Sequence, residues 1–264
     1  MRLPCLLLAV VVLIVPAATA TATEPHTDAT EHGDGTPGWD YSTARGPDHW
    51  GELSPEYVLA RVGGSQSPVN IVTTDIIGAD LPPLEIEPHA QPLHLLNNGH
   101  TVEAVCPRAA SLQFGSQRYD LLQFHFHAPS EHTIDGEHAE VELHFVHSDG
   151  EGHLAVVAVL FFEGAVEHPE VAELLTREAI AHPGDEIVDP ATALDVRDFL
   201  PASLDYFTYD GSLTTPPATE GVRWFVLKQP LHMTRAQIEA IDRVYYSNNR
   251  PTQPLNARFV LTRR

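Results

Sequence analysis

Leu154-Ala155-Val156-Val157-Ala158-Val159-Leu160-Phe161-Phe162 is nine residues long and contains no polar side chain. A short run this rich in β-branched and aromatic residues reads as a strand buried on both faces, and it belongs at the centre of a sheet. Just upstream, Val141-Glu142-Leu143-His144-Phe145-Val146 alternates instead. Residues two apart in a strand share a face, so Glu142, His144 and Val146 project together and Leu143 and Phe145 project the other way. In Gln123-Phe124-His125-Phe126-His127 the same period pairs His125 with His127 and sends Phe124 and Phe126 to the opposite face. Two neighbouring strands of this kind aim three imidazoles at one ion.

Three protein nitrogens and an open fourth position describe a catalytic zinc site. A structural zinc would fill all four positions with protein ligands, often thiolates, and the only cysteines are Cys5 and Cys106. A ligating histidine usually donates its second N–H to a carboxylate, carbonyl or amide oxygen, a role open to Gln123 and Glu142. The chain has 16 histidines, so a lone one counts for little. The apolar alternation and the adjoining Gln and Glu are what single out these three.

Further out, short strands are expected near Leu93–Asn97, Thr101–Val105, Ser111–Gln113, Arg118–Phe126 and Arg223–Leu227, separated by glycine and proline turns. Helices are few and peripheral. One begins at His168-Pro169-Glu170, with proline in its first turn, and another at Thr234-Arg235-Ala236-Gln237, with capping-box spacing. Asp210-Gly211-Ser212-Leu213-Thr214-Thr215-Pro216-Pro217 is a rigid loop, because paired prolines remove donors and restrict the residues before them. It presents two hydroxyls. Asn97-Asn98-Gly99-His100-Thr101 reads as a turn into a strand, with His100 exposed and able to carry protons near neutral pH.

At the amino terminus, Arg2 precedes a wholly apolar stretch from Leu6 to Val15 and then Ala18-Thr19-Ala20. Residues 1–20 read as a cleaved secretory signal, too short to span a bilayer comfortably. Residues 21–37 are polar and acidic, a disordered leader. Residues 38–264 fit one β-rich domain. Acidic residues number 36 against 15 basic, with Lys228 the sole lysine, for a net charge of −21. That field disfavours nucleic acid and other polyanions. Once Cys5 is removed, Cys106 has no intramolecular partner and is expected as a buried thiol.

Together these motifs resemble an α-class carbonic anhydrase. The resemblance runs from Trp39-Asp40-Tyr41 and Gly46-Pro47-Asp48-His49-Trp50 through Gln66-Ser67-Pro68-Val69-Asn70-Ile71, Asn98-Gly99-His100 and the Gln-Phe-His-Phe-His segment. It continues through Ser130-Glu131-His132-Thr133, Glu142-Leu143-His144, Gly211–Pro217 and Arg250-Pro251-Thr252-Gln253-Pro254-Leu255-Asn256. It implies a mainly β fold, an α+β roll on a large twisted, mostly antiparallel sheet of about ten strands. It also implies reversible hydration of carbon dioxide to bicarbonate by zinc-bound hydroxide. The zinc would be held by His125, His127 and His144, oriented by Gln123, Glu142 and the backbone carbonyl of Asn248. Thr214 would hold the hydroxide and bond to Glu131. Val146, Val156, Leu213, Val222 and Trp224 match the apolar wall that receives carbon dioxide. Tyr41, Asn98 and Thr215 match the polar side that orders water toward the proton shuttle His100.

Three departures stand out. Arg61 and Ala218 occupy the stretches that a disulfide joins in many secreted members, so packing must stiffen that loop here. Glu103 stands in the cleft where animal forms often carry an amide, and its charge is expected to raise the pKa of the zinc water or of His100. The short Ala128-Pro129-Ser130 loop resembles bacterial members, which with the signal implies a periplasmic or secreted protein, with a homodimer possible. A binding domain of this fold without catalysis would typically lack one of the three histidines.

Overall fold

The computed structural model describes residues 38–175, 182–245 and 247–264. The signal and leader lie outside the described residues. In chain order the strands are β1 (Asn70–Ile71), β2 (Ile77–Ala79), β3 (Leu84–Pro88), β4 (Gln91–Asn97), β5 (Val102–Val105), β6 (Ala110–Phe114), β7 (Gln117–His127), β8 (Thr133–Ile134), β9 (Glu137–His138), β10 (Val141–Ser148), β11 (Leu154–Glu163), β12 (Glu186–Leu194), β13 (Tyr206–Ser212), β14 (Glu220–Leu227), β15 (Leu231–Met233) and β16 (Leu261–Arg263). Among the described residues four short α-helices, α1 (Trp50–Leu53), α2 (Leu59–Val62), α3 (Pro169–Leu175) and α4 (Arg235–Tyr245), lie outside the sheets.

Thirteen strands form one sheet, and ten of them run in the order β12-β4-β5-β7-β10-β11-β14-β13-β16-β2. The large sheet of about ten strands is present as that path, and β3, β6 and β15 branch from it. β11 stands in its interior, antiparallel to β10 and parallel to β14. Most other pairings are antiparallel, with parallel contacts also at β11–β15 and β16–β2. The apolar run of β11 is buried from Ala155 to Phe161, as a strand covered on both faces must be.

Antiparallel pairing of β7 with β10 sets His144 opposite His125 and Glu142 opposite His127. On one face of this pair, Phe124, Phe126, Leu143 and Phe145 join the main core with Phe161, Phe199, Tyr206 and Phe225. Each such buried aromatic contributes on the order of 2 kcal/mol through apolar burial. The imidazoles occupy the other face. An unbroken period of two would also turn Leu122 into the core, but the register shifts between Val146 and His147. This bulge leaves Leu122 41% exposed and buries Leu121 completely, at 0%.

The helix starts follow the sequence signals. Proline opens α3. At α4, the Gln237 side chain accepts a hydrogen bond from the Thr234 backbone N–H at 3.1 Å, the returning half of a capping box. Its amide also bonds both backbone groups of His168, accepting at 3.0 Å and donating at 2.7 Å. One glutamine thereby ties the starts of α3 and α4 together. Cys106 is a buried thiol whose pKa burial pushes up to about 12, so it stays protonated.

His147 lies just past the bulge, 1% exposed, with Nδ1 2.9 Å from the Phe145 carbonyl. Burial lowers its pKa from 6.5 to about 4. Between those values the unfolded chain binds a proton that the native side chain refuses, so stability falls as pH falls through that window. The full loss from this one group is about 3 kcal/mol. Urea unfolding from pH 7 to pH 4 should show a slope shallower by about one proton in His147→Leu. An unchanged slope would mean that His147 titrates normally in the native state.

Candidate metal centre and cleft

Ring centroids of His127 and His144 are 4.6 Å apart, those of His125 and His127 4.9 Å, and those of His125 and His144 5.4 Å. One nitrogen from each ring lies within 4.8 Å of the other two. Each ring is pinned at its remaining nitrogen. His125 Nδ1 is 2.9 Å from Gln123 Oε1, His127 Nδ1 is 2.7 Å from the Asn248 carbonyl, and His144 Nε2 is 2.8 Å from Glu142 Oε1. All three partners are acceptors, so the pinned nitrogens carry the protons. Three lone pairs are left, on His125 Nε2, His127 Nε2 and His144 Nδ1. His127 Nε2 is buried and has no hydrogen-bond partner.

Burial also keeps these rings neutral. It lowers His125 well below 6.5, aided by the neighbouring His127 and His144, takes His127 down to about 4, and lowers His144 as well. Neutral imidazole is the form that ligates. Glu142 anchors the arrangement from behind. Its Oε2 accepts the backbone N–H groups of Glu131 and His132, each at 2.8 Å, and its Oε1 accepts from His132 Nδ1 at 2.6 Å as well as from His144. Although burial alone would raise it, His132 and His144 hold its carboxyl well below the usual range.

Glu131 is fully buried beside the same point. Its Oε1 accepts the Arg250 backbone N–H at 2.8 Å, and its Oε2 lies 3.6 Å from His127 Nε2. Burial pushes this carboxyl up to about 7, opposed by His144, the Arg250 N–H and the Thr214 hydroxyl. Thr214 is close enough to act on Glu131, though Oε2 takes no hydrogen bond of full geometry.

The three imidazoles floor a cleft of about 230 Å³. Val146, Val156, Leu213 and Trp224 line one side, and Tyr41, Asn98, His100, Glu103 and Thr215 line the other. Val222 shares the sheet face of Val156 and Trp224 and packs against both, 2% exposed. His100 differs from a free turn histidine, because its ring stacks on Trp39 at 3.7 Å and 10°. Glu103 accepts a hydrogen bond from Asn98 at 2.8 Å, and burial raises its own pKa. A larger cavity of about 330 Å³ lies across the sheet among Val102, Phe124, Val171, Ile241 and their neighbours. Its lining is mainly apolar and lies on the opposite sheet face from the histidines.

A sequence profile described as eukaryotic-type carbonic anhydrase matches residues 45–264. A carbonic anhydrase of Pectobacterium atrosepticum is 40% identical over 224 residues, covering 84% of this chain and 90% of that protein. One from a Nostoc species is 38% identical, with 86% of each chain covered. The chain belongs to the carbonic anhydrase family. A solved α-carbonic anhydrase from Thermovibrio ammonificans, in complex with the inhibitor sulfanilamide, superposes with a TM-score of 0.81 at 43% identity. It covers 85% of this chain and 98% of its own. Zinc-dependent hydration of carbon dioxide is the general activity of carbonic anhydrases.

For a carbonic anhydrase without the disulfide, the loop around Ala218 needs other ties. Gln66 Nε2 donates to the Ala218 carbonyl at 3.0 Å and to Glu220 at 3.1 Å, and Gln66 Oε1 accepts from the buried Arg250 guanidinium at 2.9 Å. Arg250 further donates to the carbonyls of Ser67 and Ala60. Sequence reasoning assigned no role to Arg250 or His132. His132 carried one signal, a histidine directly after Glu131 that the strand period does not place in the site.

Proposed function

We propose that His125, His127 and His144 hold one zinc ion and that the cleft above them hydrates carbon dioxide reversibly. The observation that carries this reading is the buried, partnerless His127 Nε2 facing two further neutral imidazole lone pairs. Three nitrogens with no thiolate nearby fit a catalytic zinc. Zinc held there supplies Lewis acidity that ionises water near neutral pH, an effect for which this enzyme family is itself the standard example.

The chain's own residues do the rest. Glu131 accepts a hydrogen bond from the Thr214 hydroxyl, which would leave the Thr214 oxygen turned to accept one from water or hydroxide in the cleft. Val146, Val156, Leu213 and Trp224 offer carbon dioxide a surface without competing polar groups. Bicarbonate is charged, gains nothing from that wall and leaves. Thr215, Asn98 and Tyr41 order water along the opposite side, and His100 passes the released proton to buffer. Glu103 adds a carboxyl to that side.

Stopped-flow hydration of carbon dioxide tests this on protein as purified, after chelation, and after one equivalent of zinc is returned. Rapid turnover, its loss and its recovery are the expected sequence. A zinc-loaded but inactive protein would point to a binding role. Among the described residues no helix is long and apolar enough to cross a membrane. A periplasmic or secreted location is supported by the signal-like first twenty residues, and N-terminal sequencing of exported protein checks it.

A further inference from the structure

The cavity of about 330 Å³ lies between α3, α4 and the sheet face turned away from the histidines. Leu95, Val102, Phe124 and Phe126 form its floor, with Val171 of α3 and Ile241 of α4 as walls. Protein interiors pack closely and leave few voids larger than a water molecule. A space of this size belongs instead with ligand pockets, which run from about 300 to 1,000 Å³ and are mostly apolar with a few polar groups. An apolar cavity of about 150 Å³ already admits benzene, so twice that volume has room for an alkyl chain. Water is a poor occupant here. It needs about two to four polar partners, and the Tyr245 hydroxyl in the wall already donates to the Val102 carbonyl at 3.3 Å.

The cavity also has a charge at its mouth. Arg243, in the last turn of α4, is exposed and lines the cavity beside Val244, itself 47% exposed. It is the one charged side chain of the described lining. Glu239 is spaced to reach it one turn earlier, but Arg235 engages that carboxylate at 3.1 Å. Asp242, its neighbour in sequence, projects from a different side of the helix. Among the described residues no ion pair or hydrogen bond occupies the Arg243 guanidinium.

We propose that this cavity binds a medium-chain fatty carboxylate, with the alkyl chain against the Phe124 and Phe126 floor and the carboxylate on Arg243. A guanidinium has donors only, in a fork that matches a carboxylate. A cationic amphiphile would be repelled by that charge, and a neutral one would leave it unpaired. The net charge of −21 disfavours ligands carrying many negative charges, whereas a single carboxylate meets one local cation. The site stands apart from the cleft, since Phe124 and Phe126 alternate with His125 and His127 along β7 and point the other way.

The test is calorimetric titration of octanoate, octanol and acetate into the purified full-length protein, Arg243→Gln and Ala240→Trp, with methyl shifts of Leu95, Val171 and Ile241 to locate the ligand. Ala240 lines the cavity from the half-buried side of α4, so tryptophan there fills it. The expected result is one octanoate site saturating below about 1 mM, with those methyls shifted by octanoate and unmoved by acetate. Arg243→Gln should weaken octanoate about three- to fivefold, as for an exposed ion pair, and leave octanol unchanged. Ala240→Trp should abolish both. No saturable octanoate binding to the wild type would overturn the proposal, and so would binding that leaves the three methyls unmoved. Equal octanoate affinity in wild type and Arg243→Gln would remove carboxylate recognition and overturn it as well. A wild-type dimer that Ala240→Trp splits would make this face an interface between copies, again against the proposal. Should Ala240→Trp fail to fold, the methyl shifts decide the location by themselves.

Discussion

Replacing His144 with alanine should lower zinc affinity by about 10³-fold and take carbon dioxide hydration down with it. Zinc bound by a small protein site represents roughly 10 to 16 kcal/mol, so losing one of three protein donors costs on the order of 4 kcal/mol. The loss is not local to one bond. Glu142 Oε1 loses a donor, and Trp224, whose ring centroid is 4.9 Å from that of His144, loses a packing partner. A second group of potential ligands, Asp149, Glu151 and His153, sits on the loop between β10 and β11. It makes a useful contrast, because its histidine is already engaged by Asp149 at 2.5 Å and all three lie near the surface. His153→Ala should leave zinc content and turnover as they were. Zinc that follows His153 instead of His144 would move the metal to that loop.

Glu142→Ala should be the most destabilising single change at the site apart from its effect on zinc. Four buried donors lose their acceptor at once: two backbone N–H groups, His132 Nδ1 and His144 Nε2. At about 1 to 3 kcal/mol for each buried group left unsatisfied, the sum is at least about 4 kcal/mol. That is a large share of the roughly 5 to 15 kcal/mol that holds a domain folded. Relief from burying a carboxylate offsets part of this, but the carboxyl is already held well below its usual range by its partners. A carboxyl with a depressed native pKa stabilises above the unfolded value of 4.5 and loses that contribution as pH falls through the native value. The gap between wild type and Glu142→Ala in urea unfolding should therefore be wide at pH 7 and shrink in acid. A gap that is small at pH 7 would mean that water replaces the carboxylate without difficulty.

Much of this was readable from side-chain period alone. Alternation in 123–127 and 141–146 assigns faces, and the faces assign the three imidazoles and Glu142. The unbroken apolar run of β11 announces a central strand, and proline and Thr-x-x-Gln mark the two longer helices. Period says nothing about which strand lies beside which, however. The parallel contact of β11 with β14 joins residues almost seventy positions apart, such as Val156 and Trp224, and no local pattern encodes it. The bulge at Leu122 is invisible for the same reason. Val222 and Val156 lie on the same sheet face, and only the pairing of Leu154 with Val222 and of Val156 with Trp224 brings them together. His132 and Glu142 come from segments with no shared periodicity, so the hydrogen bond between them appears only in three dimensions.

The strand order also has a consequence for how the molecule is assembled. β2 is held in the large sheet by β16, whose residues lie more than 180 positions later. β16 in turn docks on β13. Local pieces such as the β10–β11 hairpin can close early, whereas that edge of the sheet waits for contacts between distant parts of the chain. Topologies dominated by such contacts fold slowly and leave strand edges uncovered in the meantime. A high negative charge on the chain, −21, keeps neighbouring copies apart during that interval, so the acidic balance serves the waiting chain as much as the finished one.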